Sequence, residues 1–359
     1  MVESLSKRTV DRPTLDAIVE AAFGPQAAIA EARELNEGFF NAAFRLRLAD
    51  GRDVVVKASP PPDVELLTYE RDIMRAEAEF FRHAAGAGTG EGAGTGADTD
   101  APLPPPIPLP QLLYAGFDRT LIDGDFIVMS AVDAVTWHSL EQTLDGTATA
   151  ALRRELGGYA ARLHTVTHPQ GRFGYPAVEE LSGSSWPEAF AAMFGAILHD
   201  AERFATELPV PIAQLKALPE RHADALAAVQ TPVLLHFDLW PGNVMVAGHA
   251  ANPNDGAPRI SGLIDGERMI WGDPLMEFIG MDVFGRADLD PDVAAGYLGA
   301  GGTIDRSPDG ERRVALYHLY MQVLLLAEMT PRGYTDPGYL EFFGRECPKR
   351  ILDYVDRLS

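Results

Sequence analysis

The strongest constraint on the fold comes from two short apolar segments, 234–246 and 260–267, which carry polar residues at their ends. Asn243 stands where the first strand begins, and Asp265 stands where the second strand stops. Because paired antiparallel strands place the start of one beside the end of the other, such a pair brings Asn243 and Asp265 together. Asp238 lies on the loop just before them. Two oxygen ligands beside a carboxylate suit a hard divalent cation and a positioned hydroxyl nucleophile, as phosphoryl transfer requires.

The composition is that of a globular protein with a strong negative charge. Its 359 residues are enough for two lobes with a substantial core, and 46% of them are hydrophobic against 23% charged. The 30 lysines and arginines face 52 aspartates and glutamates, which leaves a net charge of −22. Such a surface argues against nucleic acid or an anionic membrane as a partner. It favours a cationic substrate, although acidity also serves solubility alone.

The sequence predicts neither export nor a membrane anchor. The single cysteine, Cys347, allows no internal disulfide and fits a reducing compartment. Residues 1–12 lack the apolar centre of a signal peptide, and no run approaches the roughly 20 apolar residues of a membrane span. We therefore expect a cytoplasmic protein.

A β-hairpin near the N-terminus has a clear strand pattern. Apolar residues alternate with arginines over 44–48, Asp50–Gly51 provides the turn, and 54–57 returns as an apolar strand that ends in a lysine. A glycine-containing turn precedes the hairpin. We expect Gly38 and Asn41 in this turn to cover a nucleotide, although a glycine before a strand is usually just a turn.

Lys57 ends this apolar strand, and its function depends on a partner carboxylate. Without one it is a solvated lysine at a strand end. Residues 67–81 are predicted to form a helix, in which Glu77 shares a face with the phenylalanines three and four places further on. A carboxylate at the border of a buried face is a plausible ion-pair partner, so we predict a Lys57–Glu77 pair. Glu70 and Glu79 are the alternatives.

A low-complexity segment follows this helix. Residues 84–100 consist largely of Ala, Gly, Thr and Asp, and residues 102–110 are rich in proline. Segments of this composition behave as linkers, so we predict a mobile surface insertion over 84–110 that carries no chemistry.

Two further strands, 111–114 and 125–129, lead into a connection at 130–135. In two-lobed nucleotide enzymes, backbone groups of such a connection commonly meet the base. The positions concerned here are Met129 and Ala131.

The rest of the chain is predicted to be mainly helical. Apolar residues between Leu152 and Leu163 recur on one face of an amphipathic helix. We therefore divide the chain into a nucleotide-binding lobe, 1–130, and a lobe, 131–359, that carries the catalytic loop, the metal site and the acceptor site. Further helices are predicted over 186–207, 211–229, 312–329 and 339–358, and a turn at 271–274 enters another helix.

Taken in order, these features resemble the aminoglycoside phosphotransferase family of small-molecule kinases. Residues 236–243 match its H-x-D-x-x-x-x-N catalytic loop, and Asp265 stands where the family keeps its second metal ligand. Upstream, the turn with Gly38, the strand of Lys57 and the helix of Glu77 follow in the family's order. The resemblance implies an α+β, two-lobed, protein-kinase-like fold with a small antiparallel-sheet N-lobe and a larger, mainly helical C-lobe.

The resemblance also implies a role for each matching residue. Asp238 would accept a hydrogen bond from the acceptor hydroxyl, and His236 would brace the catalytic loop. Asn243 and Asp265 would hold Mg²⁺ against the phosphates of ATP, with GTP as the alternative donor. The expected nucleotide-binding residues are Lys57 and Glu77 for the α- and β-phosphates, Gly38 and Asn41 for the covering turn, and Met129 and Ala131 for the base.

Two positions depart from the family pattern. Phe237 stands where the family usually has glycine, so the backbone there must accept a side chain. Glu277 replaces the last aspartate of the family's Gly-Asp-Pro-x-x-Asp turn, which bears on how the loop is anchored.

The acceptor side is less defined by the sequence. Glu267 is a candidate either for water-mediated contact with Mg²⁺ or for the acceptor, and Trp240 and Asp273 are candidate substrate contacts. The carboxylates in this region favour a polycationic acceptor such as an aminoglycoside, although the same groups also cap helices. The carboxylates considered are Glu267, Asp273, Glu277 and Asp282.

Three alternatives to antibiotic inactivation follow from the residues. A metabolic kinase would phosphorylate a choline-, homoserine- or sugar-like alcohol, and Trp240, Trp271 and Phe284 would form an aromatic cage for a choline-type cation. A non-catalytic pseudokinase would lack at least one of the four residues expected to serve catalysis, and all four are present: Lys57, Asp238, Asn243 and Asp265. A protein kinase would carry G-x-G-x-x-G and Asp-Phe-Gly, and neither is found.

Overall fold

The N-terminal part of the chain is organised on a five-stranded antiparallel sheet. A computed structural model describes residues 7–35, 38, 40–87, 106–248, 256–284 and 289–359. The first elements are α1 (Arg12–Phe23), β1 (Ile29–Leu35), β2 (Ala42–Leu48), β3 (Asp53–Ala58), α2 (Ile73–Ala84), β4 (Leu112–Gly116) and β5 (Phe126–Ser130). The strands are ordered β1-β2-β3-β5-β4, and each neighbouring pair is antiparallel. The predicted hairpin is confirmed as β2 and β3.

Alternation along β3 determines which helix covers each side chain. Val54 and Val56 lie in the apolar cluster that α1 covers with Ile18. Val55 packs into the opposite cluster, to which α2 contributes. Because successive side chains point to opposite faces, Lys57 lies on the same face as Val55 and meets α2.

The single helix predicted over 67–81 is wrong, because the chain breaks into two pieces there. A short 3₁₀ turn spans Thr68–Glu70, Asp72 adopts a left-handed backbone with φ of 53°, and α2 begins at Ile73. A left-handed residue cannot continue a right-handed helix. Glu70 and Glu77 therefore lie on separate elements and have different partners.

The C-terminal part is mainly helical, as predicted, and it carries two small sheets. Together with the first sheet this confirms the α+β, two-lobed architecture. Its strands are β6 (Val135–Thr136), β7 (Phe173–Gly174), β8 (Ser182–Gly183), β9 (Val233–Leu235), β10 (Val244–Ala247), β11 (Arg259–Leu263) and β12 (Ile270–Gly272). Its helices are α3 (Trp137–Leu140), α4 (Gly146–Leu163), α5 (Trp186–Arg203), α6 (Ile212–Lys216), α7 (Leu218–Arg221), α8 (Ala223–Leu226), α9 (Pro274–Met281), α10 (Pro291–Gly299), α11 (Pro308–Met329) and α12 (Pro337–Arg357).

The region predicted as one helix over 211–229 is divided into α6, α7 and α8. Pro219 stands in the first turn of α7, and a proline has no backbone N–H for the hydrogen bond that would continue the preceding helix. The predicted helices at 186–207, 312–329 and 339–358 correspond to α5, α11 and α12. The turn predicted at 271–274 contains the end of β12 and leads into α9.

The end of the predicted insertion packs against the body of the protein. Residues 88–105 lie outside the described part of the chain. Ile107 is buried, and the carbonyl of Pro108 accepts a hydrogen bond from Leu263 N of 2.8 Å. Residues 106–110 are therefore a packed segment beside β11, which corrects the prediction for that end of the insertion.

No helix within the described residues is long and apolar enough to cross a membrane.

Helices α4 and α10 cross at glycines, so their backbones approach closely. A Cβ on Gly296 would lie 1.8 Å from the carbonyl oxygen of Arg154, and a Cβ on Gly157 would lie 2.1 Å from that of Val293. Real Cβ atoms do not approach backbone oxygens this closely, so a side chain here would force the helices apart.

We predict that Gly296→Ala lowers the free energy of unfolding by about 1–3 kcal/mol, because the added methyl group separates α4 from α10. Chemical denaturation of the purified protein measures this change. Gly299→Ala is the matched control, since it lies on the same helix and a Cβ there meets no atom within 4 Å. Equal stability of the two variants would contradict the proposed close crossing.

Candidate active site

Pairing between β10 and β11 brings the expected polar residues together. Val244 is the register partner of Leu263, so the start of β10 lies beside the end of β11. Ile264 N donates a hydrogen bond of 3.0 Å to the carbonyl of Asn243. Asn243 Nδ2 in turn donates to the carbonyl and to Oδ2 of Asp238, at 2.9 and 3.1 Å. Because its amide nitrogen is used in this way, its amide oxygen is the atom that can bind a cation.

The catalytic loop accommodates a phenylalanine in a left-handed backbone conformation. Phe237 has φ of 62° and is fully buried in the core, 6.2 Å from the ring of Tyr320. Such a conformation is costly for a bulky residue unless the surroundings hold it in place. The carboxylate of Glu277 provides this hold, since it accepts hydrogen bonds of 2.8 Å from both His236 N and Phe237 N. Glu277 thus anchors the loop in place of the family's aspartate.

His236 links the catalytic loop to the strand that precedes Asp265. Its Nε2 lies 2.9 Å from the carbonyl of Ile264, and Asp238 N donates to its Nδ1 at 3.3 Å. The ring also packs edge-on against Phe80 of α2. A proton on Nε2 satisfies both contacts, because a carbonyl only accepts and Nδ1 must then accept. These contacts fit a brace and not a proton-transfer group.

Lys57 lies at the centre of a buried group of carboxylates. Its Nζ is 2.6 Å from Glu77 Oε2 and 3.3 Å from Glu267 Oε2, and it also donates to Asp265 Oδ1. Burial alone would lower the pKa of Lys57, but Asp265, Glu77 and Glu267 hold it well above the usual value. The ammonium is therefore charged, and the predicted pairing with Glu77 is confirmed.

The carboxylates around Lys57 outnumber it, and their proton affinities reflect this excess. Burial raises the pKa of Glu77 to about 7 despite the nearby ammonium. Burial and the neighbouring Asp265 raise the pKa of Glu267 well above its usual value. Burial would also raise the pKa of Asp265, but the contact with Lys57 brings it below the usual value. The three carboxyl groups therefore compete for one ammonium, and Glu77 and Glu267 hold a proton more readily than exposed carboxyl groups do.

The donor set of this cluster fits a hard divalent cation. Ligand oxygens of Glu77, Asp265 and Glu267 all lie within 4.8 Å of one another. Two further oxygens, Asn41 Oδ1 and Glu77 Oε1, are buried and have no hydrogen-bond partner among the described residues. Carboxylate and amide oxygens are the ligands that Mg²⁺ prefers.

Two residues at the end of the turn expected to cover the nucleotide contact the C-terminal part of the chain. Asn41 Nδ2 donates a hydrogen bond to Glu267, and the ring of Phe40 lies 5.0 Å from the Arg332 guanidinium. Gly38 is exposed. The other residues of this turn, 36, 37 and 39, lie outside the described part of the chain.

The connection between the lobes uses some of the backbone groups expected to meet a base. Ala131 N donates to the carbonyl of Asp53 at 3.0 Å, so this N–H is not available to a nucleotide. Met129 is buried at the end of β5, opposite Val55 and Leu112. The prediction that Ala131 meets the base is therefore wrong for its backbone N–H, which is already bonded to Asp53.

A residue that the sequence did not identify lies near Oδ2 of Asp238, the same oxygen that accepts a hydrogen bond from Asn243. Arg268 Nε lies 3.8 Å from Asp238 Oδ2, and the guanidinium is buried. Burial raises the pKa of Asp238, and Arg268 opposes that effect. The available signal was the position of Arg268, three residues after Asp265 in the 3₁₀ turn Gly266–Arg268.

Two of the residues expected on the acceptor side have other partners. Asp273 is the N-cap of α9, and its carboxylate accepts hydrogen bonds from Leu275 N, Arg313 Nε and Tyr317 Oη. It is 3% exposed, so the prediction that it contacts substrate is wrong. Glu267 faces Lys57 and Asn41, which places it on the nucleotide side.

The aromatic cage expected for a choline-type acceptor does not form. Trp271 is buried between the rings of His83 and His168. Phe284 packs on the aromatic side chains of α12 instead. Trp240 is half-buried, lies 5.6 Å from the ring of His138 and covers Gly242. The three rings therefore have separate surroundings.

A cavity of about 1120 Å³ lies behind the catalytic loop, between α3, α4, α9, α10 and the start of α11. Leu239 and Pro241 form part of its wall. None of Asp238, Lys57 and Asp265 lines it, so it is not the place where the reacting groups meet.

We predict that Glu277→Gln lowers the free energy of unfolding by about 1–3 kcal/mol, because one of the two loop amides loses its acceptor in a buried site. Urea denaturation measures the change. Glu341→Gln, on an exposed part of α12, is the control and should change it by less than about 0.5 kcal/mol. A Glu277 variant as stable as this control would show that the loop does not depend on the anchor.

Comparison with known proteins agrees with this architecture. The model of the phosphotransferase enzyme family matches residues 31–317, most of the chain. No curated protein sequence gives a match.

Several solved structures share the fold. A candidate fructosamine-3-kinase from Thermobifida fusca superimposes with a TM-score of 0.60 at 19% identity, over 96% of this chain and 98% of that one. A thermostable mutant of the aminoglycoside phosphotransferase APH(4)-Ia, solved with AMP-PNP and hygromycin B, gives 0.58 at 17%, over 96% and 98%. The ADP-bound aminoglycoside phosphotransferase APH(2'')-Ib gives 0.57 at 16%, over 96% and 99%. At these identities the likeness concerns the fold, whereas the match to the family model covers most of the sequence: the chain belongs to the phosphotransferase enzyme family.

Proposed function

We propose that this phosphotransferase moves the γ-phosphate of ATP to a hydroxyl of a small polyhydroxylated molecule. The observation that carries the proposal is the buried contact of Lys57 with Glu77 and Asp265, next to the bonded pair Asp238 and Asn243. A phosphate-binding cation, oxygen ligands for a metal and a carboxylate for the hydroxyl are the parts that phosphoryl transfer requires. Residues 1–130 form the nucleotide-binding lobe of this proposal, and residues 131–359 carry the rest of the site.

On the nucleotide side, Lys57 binds the α- and β-phosphates and Glu77 holds its ammonium in place. Asp265 and the amide oxygen of Asn243 hold Mg²⁺, which supplies charge neutralisation at the phosphates when it is bound. Glu267 holds the covering turn through Asn41.

On the acceptor side, Asp238 accepts a hydrogen bond from the hydroxyl and orients its oxygen towards the γ-phosphate. Burial raises the pKa of this carboxyl group, which strengthens it as a proton acceptor. His236 and Glu277 hold the loop so that the carboxylate keeps its direction.

For the acceptor we place an aminoglycoside or a similar hydroxylated antibiotic first. Support comes from the fold shared with enzymes solved with hygromycin B or described as aminoglycoside phosphotransferases. The surface charge of −22 also favours a cation. The carboxylates near the site give less support than expected, because Asp273, Glu277 and Glu267 are all bound to protein groups. A sugar-type alcohol is the second candidate, supported by the fold of the fructosamine-3-kinase candidate.

A panel of acceptors distinguishes these two candidates. Purified protein with Mg·ATP is incubated with aminoglycosides, hygromycin B, fructosamines, free sugars, homoserine and choline, and ADP formation is followed. GTP replaces ATP in a parallel series. We expect stimulation of ADP formation by at least one aminoglycoside, with the phosphate found on one of its hydroxyl groups. Nucleotide binding without stimulation by any acceptor would favour a non-catalytic protein.

We predict that Asp238→Asn lowers kcat about a hundredfold or more, because the hydroxyl loses its charged hydrogen-bond acceptor. The affinity for Mg·ATP should stay within about twofold, since Asp238 does not contact Lys57. Steady-state kinetics and calorimetric nucleotide titration measure the two quantities. Asp353→Asn is the matched control, because that side chain is exposed on α12, away from the site. Wild-type turnover in the Asp238 variant would remove it from the mechanism.

We also predict that Asp265→Ala makes ATP binding insensitive to Mg²⁺, because the variant lacks the main carboxylate ligand of the cation. The affinity for ATP is titrated with excess Mg²⁺ and again with a chelator. The wild-type protein should bind more tightly with Mg²⁺, and the variant should show the same affinity in both conditions. If Mg²⁺ strengthens binding equally in both proteins, Asp265 is not the ligand.

A further inference from the structure

A chain of buried charges connects Asp238 to the turn over the nucleotide. Its members Glu70, Arg268, Glu328 and Arg332 are between 1% and 8% exposed. Buried charges of this kind persist only when they are paired and hydrogen-bonded. None of the roles assigned above requires them, so their arrangement needs a reason of its own.

Arg268 is shared between two carboxylates at different distances. Its Nη2 donates to Glu328 Oε1 at 2.7 Å, whereas its Nε stays 3.8 Å from Asp238 Oδ2. The first contact is a full ion pair, and the second lies beyond hydrogen-bond distance. Tyr69 Oη also donates to Glu328 Oε1, at 2.6 Å, and this fixes the carboxylate that draws Arg268 away.

Arg332 extends the chain into the N-terminal part. It contacts Glu328 Oε1 at 3.3 Å and Glu70 Oε1 at 2.6 Å, and its guanidinium lies over the ring of Phe40. Glu70 belongs to the 3₁₀ turn just before α2, the helix that carries Glu77. Glu328 at the end of α11 thus contacts Arg268, the neighbour of Asp238, and Arg332 just beyond the helix contacts Phe40 and Glu70.

We propose that Glu328 is a positioning residue for the transfer reaction, which draws Arg268 away from Asp238 and leaves that carboxylate open to the acceptor hydroxyl. The proposal rests on the proposed function, in which Asp238 receives the hydroxyl's hydrogen bond. Glu328 does not touch the reacting atoms. It acts through Arg268, whereas Arg332 has a second ion-pair partner in Glu70.

Without the charge of Glu328, the carboxylate that remains close to Arg268 is that of Asp238. A buried guanidinium without a partner is strongly disfavoured, so it closes the gap to Asp238 and forms a direct ion pair. A carboxylate held in this way competes with the acceptor hydroxyl. The rate of the transfer step then falls, while Lys57 and Asp265 still bind the nucleotide.

The first test compares Glu328→Gln with Glu341→Gln, an exposed glutamate on α12. Turnover is measured with the acceptor that gives the highest rate in the panel and, separately, as phosphate released from Mg·ATP. We expect Glu328→Gln to lower kcat at least tenfold, with the Kd for Mg·ATP within twofold of wild type. Retention of more than half the wild-type kcat overturns the proposal, and so does a parallel loss of Mg·ATP affinity.

A second substitution separates positioning from a general structural role. In Arg268→Gln/Glu328→Gln the competing guanidinium is gone, so the double variant should turn over faster than Glu328→Gln alone. A double variant that is no faster overturns the proposal. If Glu328→Gln does not fold, Tyr69→Phe decides, because it removes only a hydroxyl, which donates to Glu328 and accepts from Arg332. It should lower kcat two- to fivefold with unchanged Mg·ATP affinity, and an unchanged kcat counts against the proposal.

The outcome for Asp238→Asn keeps this inference apart from the proposed function. If that variant loses transfer while Glu328→Gln does not, the positioning role alone fails. If Asp238→Asn retains transfer, the proposed function fails first.

Discussion

The contact of Lys57 with three carboxylates is the interaction on which the site depends. Sheet alternation sends this lysine to the face of α2, and the ammonium there joins an N-terminal strand to Glu77, Asp265 and Glu267. Loss of the lysine from such a buried group costs about 3–5 kcal/mol, because the carboxylates are left without a compensating charge. The cluster therefore fixes both the relation of sheet to helix and the positions of Asp265 and Glu267 in the C-terminal part. Its carboxylate oxygens are donors of the kind that a hard cation prefers.

Two left-handed residues set the direction of the reacting side chains. Phe237 turns the chain just before Asp238, and Asp265, with φ of 66°, turns it at the end of β11. Neither conformation is favoured locally, so the surrounding structure must hold both. His236 contributes on both sides, through Ile264 and Asp238 N, and Glu277 secures the backbone before Phe237. The catalytic loop and the metal strand are thus held by one set of bonds.

Local patterns account for what the sequence predicted correctly. The Lys57–Glu77 pair could be predicted from two local patterns. Lys57 lies at the end of an apolar strand, and Glu77 shares a helix face with Phe80 and Phe81. Asn243 and Asp265 lie near each other because antiparallel pairing sets the start of β10 beside the end of β11. The sequence also indicates the N-cap role of Asp273, since an aspartate before a proline at the start of a helix is a common N-cap. The predicted substrate contact of Asp273 is wrong because its burial cannot be inferred from the sequence.

The parts that were missed depend on contacts between distant segments. Arg268 pairs with Glu328 across 60 positions, and Arg332 pairs with Glu70 across 262. Periodicity says only that such residues border a buried face, not which face they meet. The break at Asp72 was missed for a related reason, because tertiary contacts of the 3₁₀ turn prevailed over helix propensity.

The proposed function implies that Lys57 exchanges Asp265 for phosphate when Mg·ATP binds. A crystal structure with Mg²⁺ and AMP-PNP tests it most directly. The account predicts that Lys57 keeps Glu77, leaves Asp265 and binds the α- and β-phosphates, while Asp265 and Asn243 ligate the metal. A nucleotide bound away from Lys57, or a metal held by Glu77 and Glu267 with Lys57 still on Asp265, would contradict it.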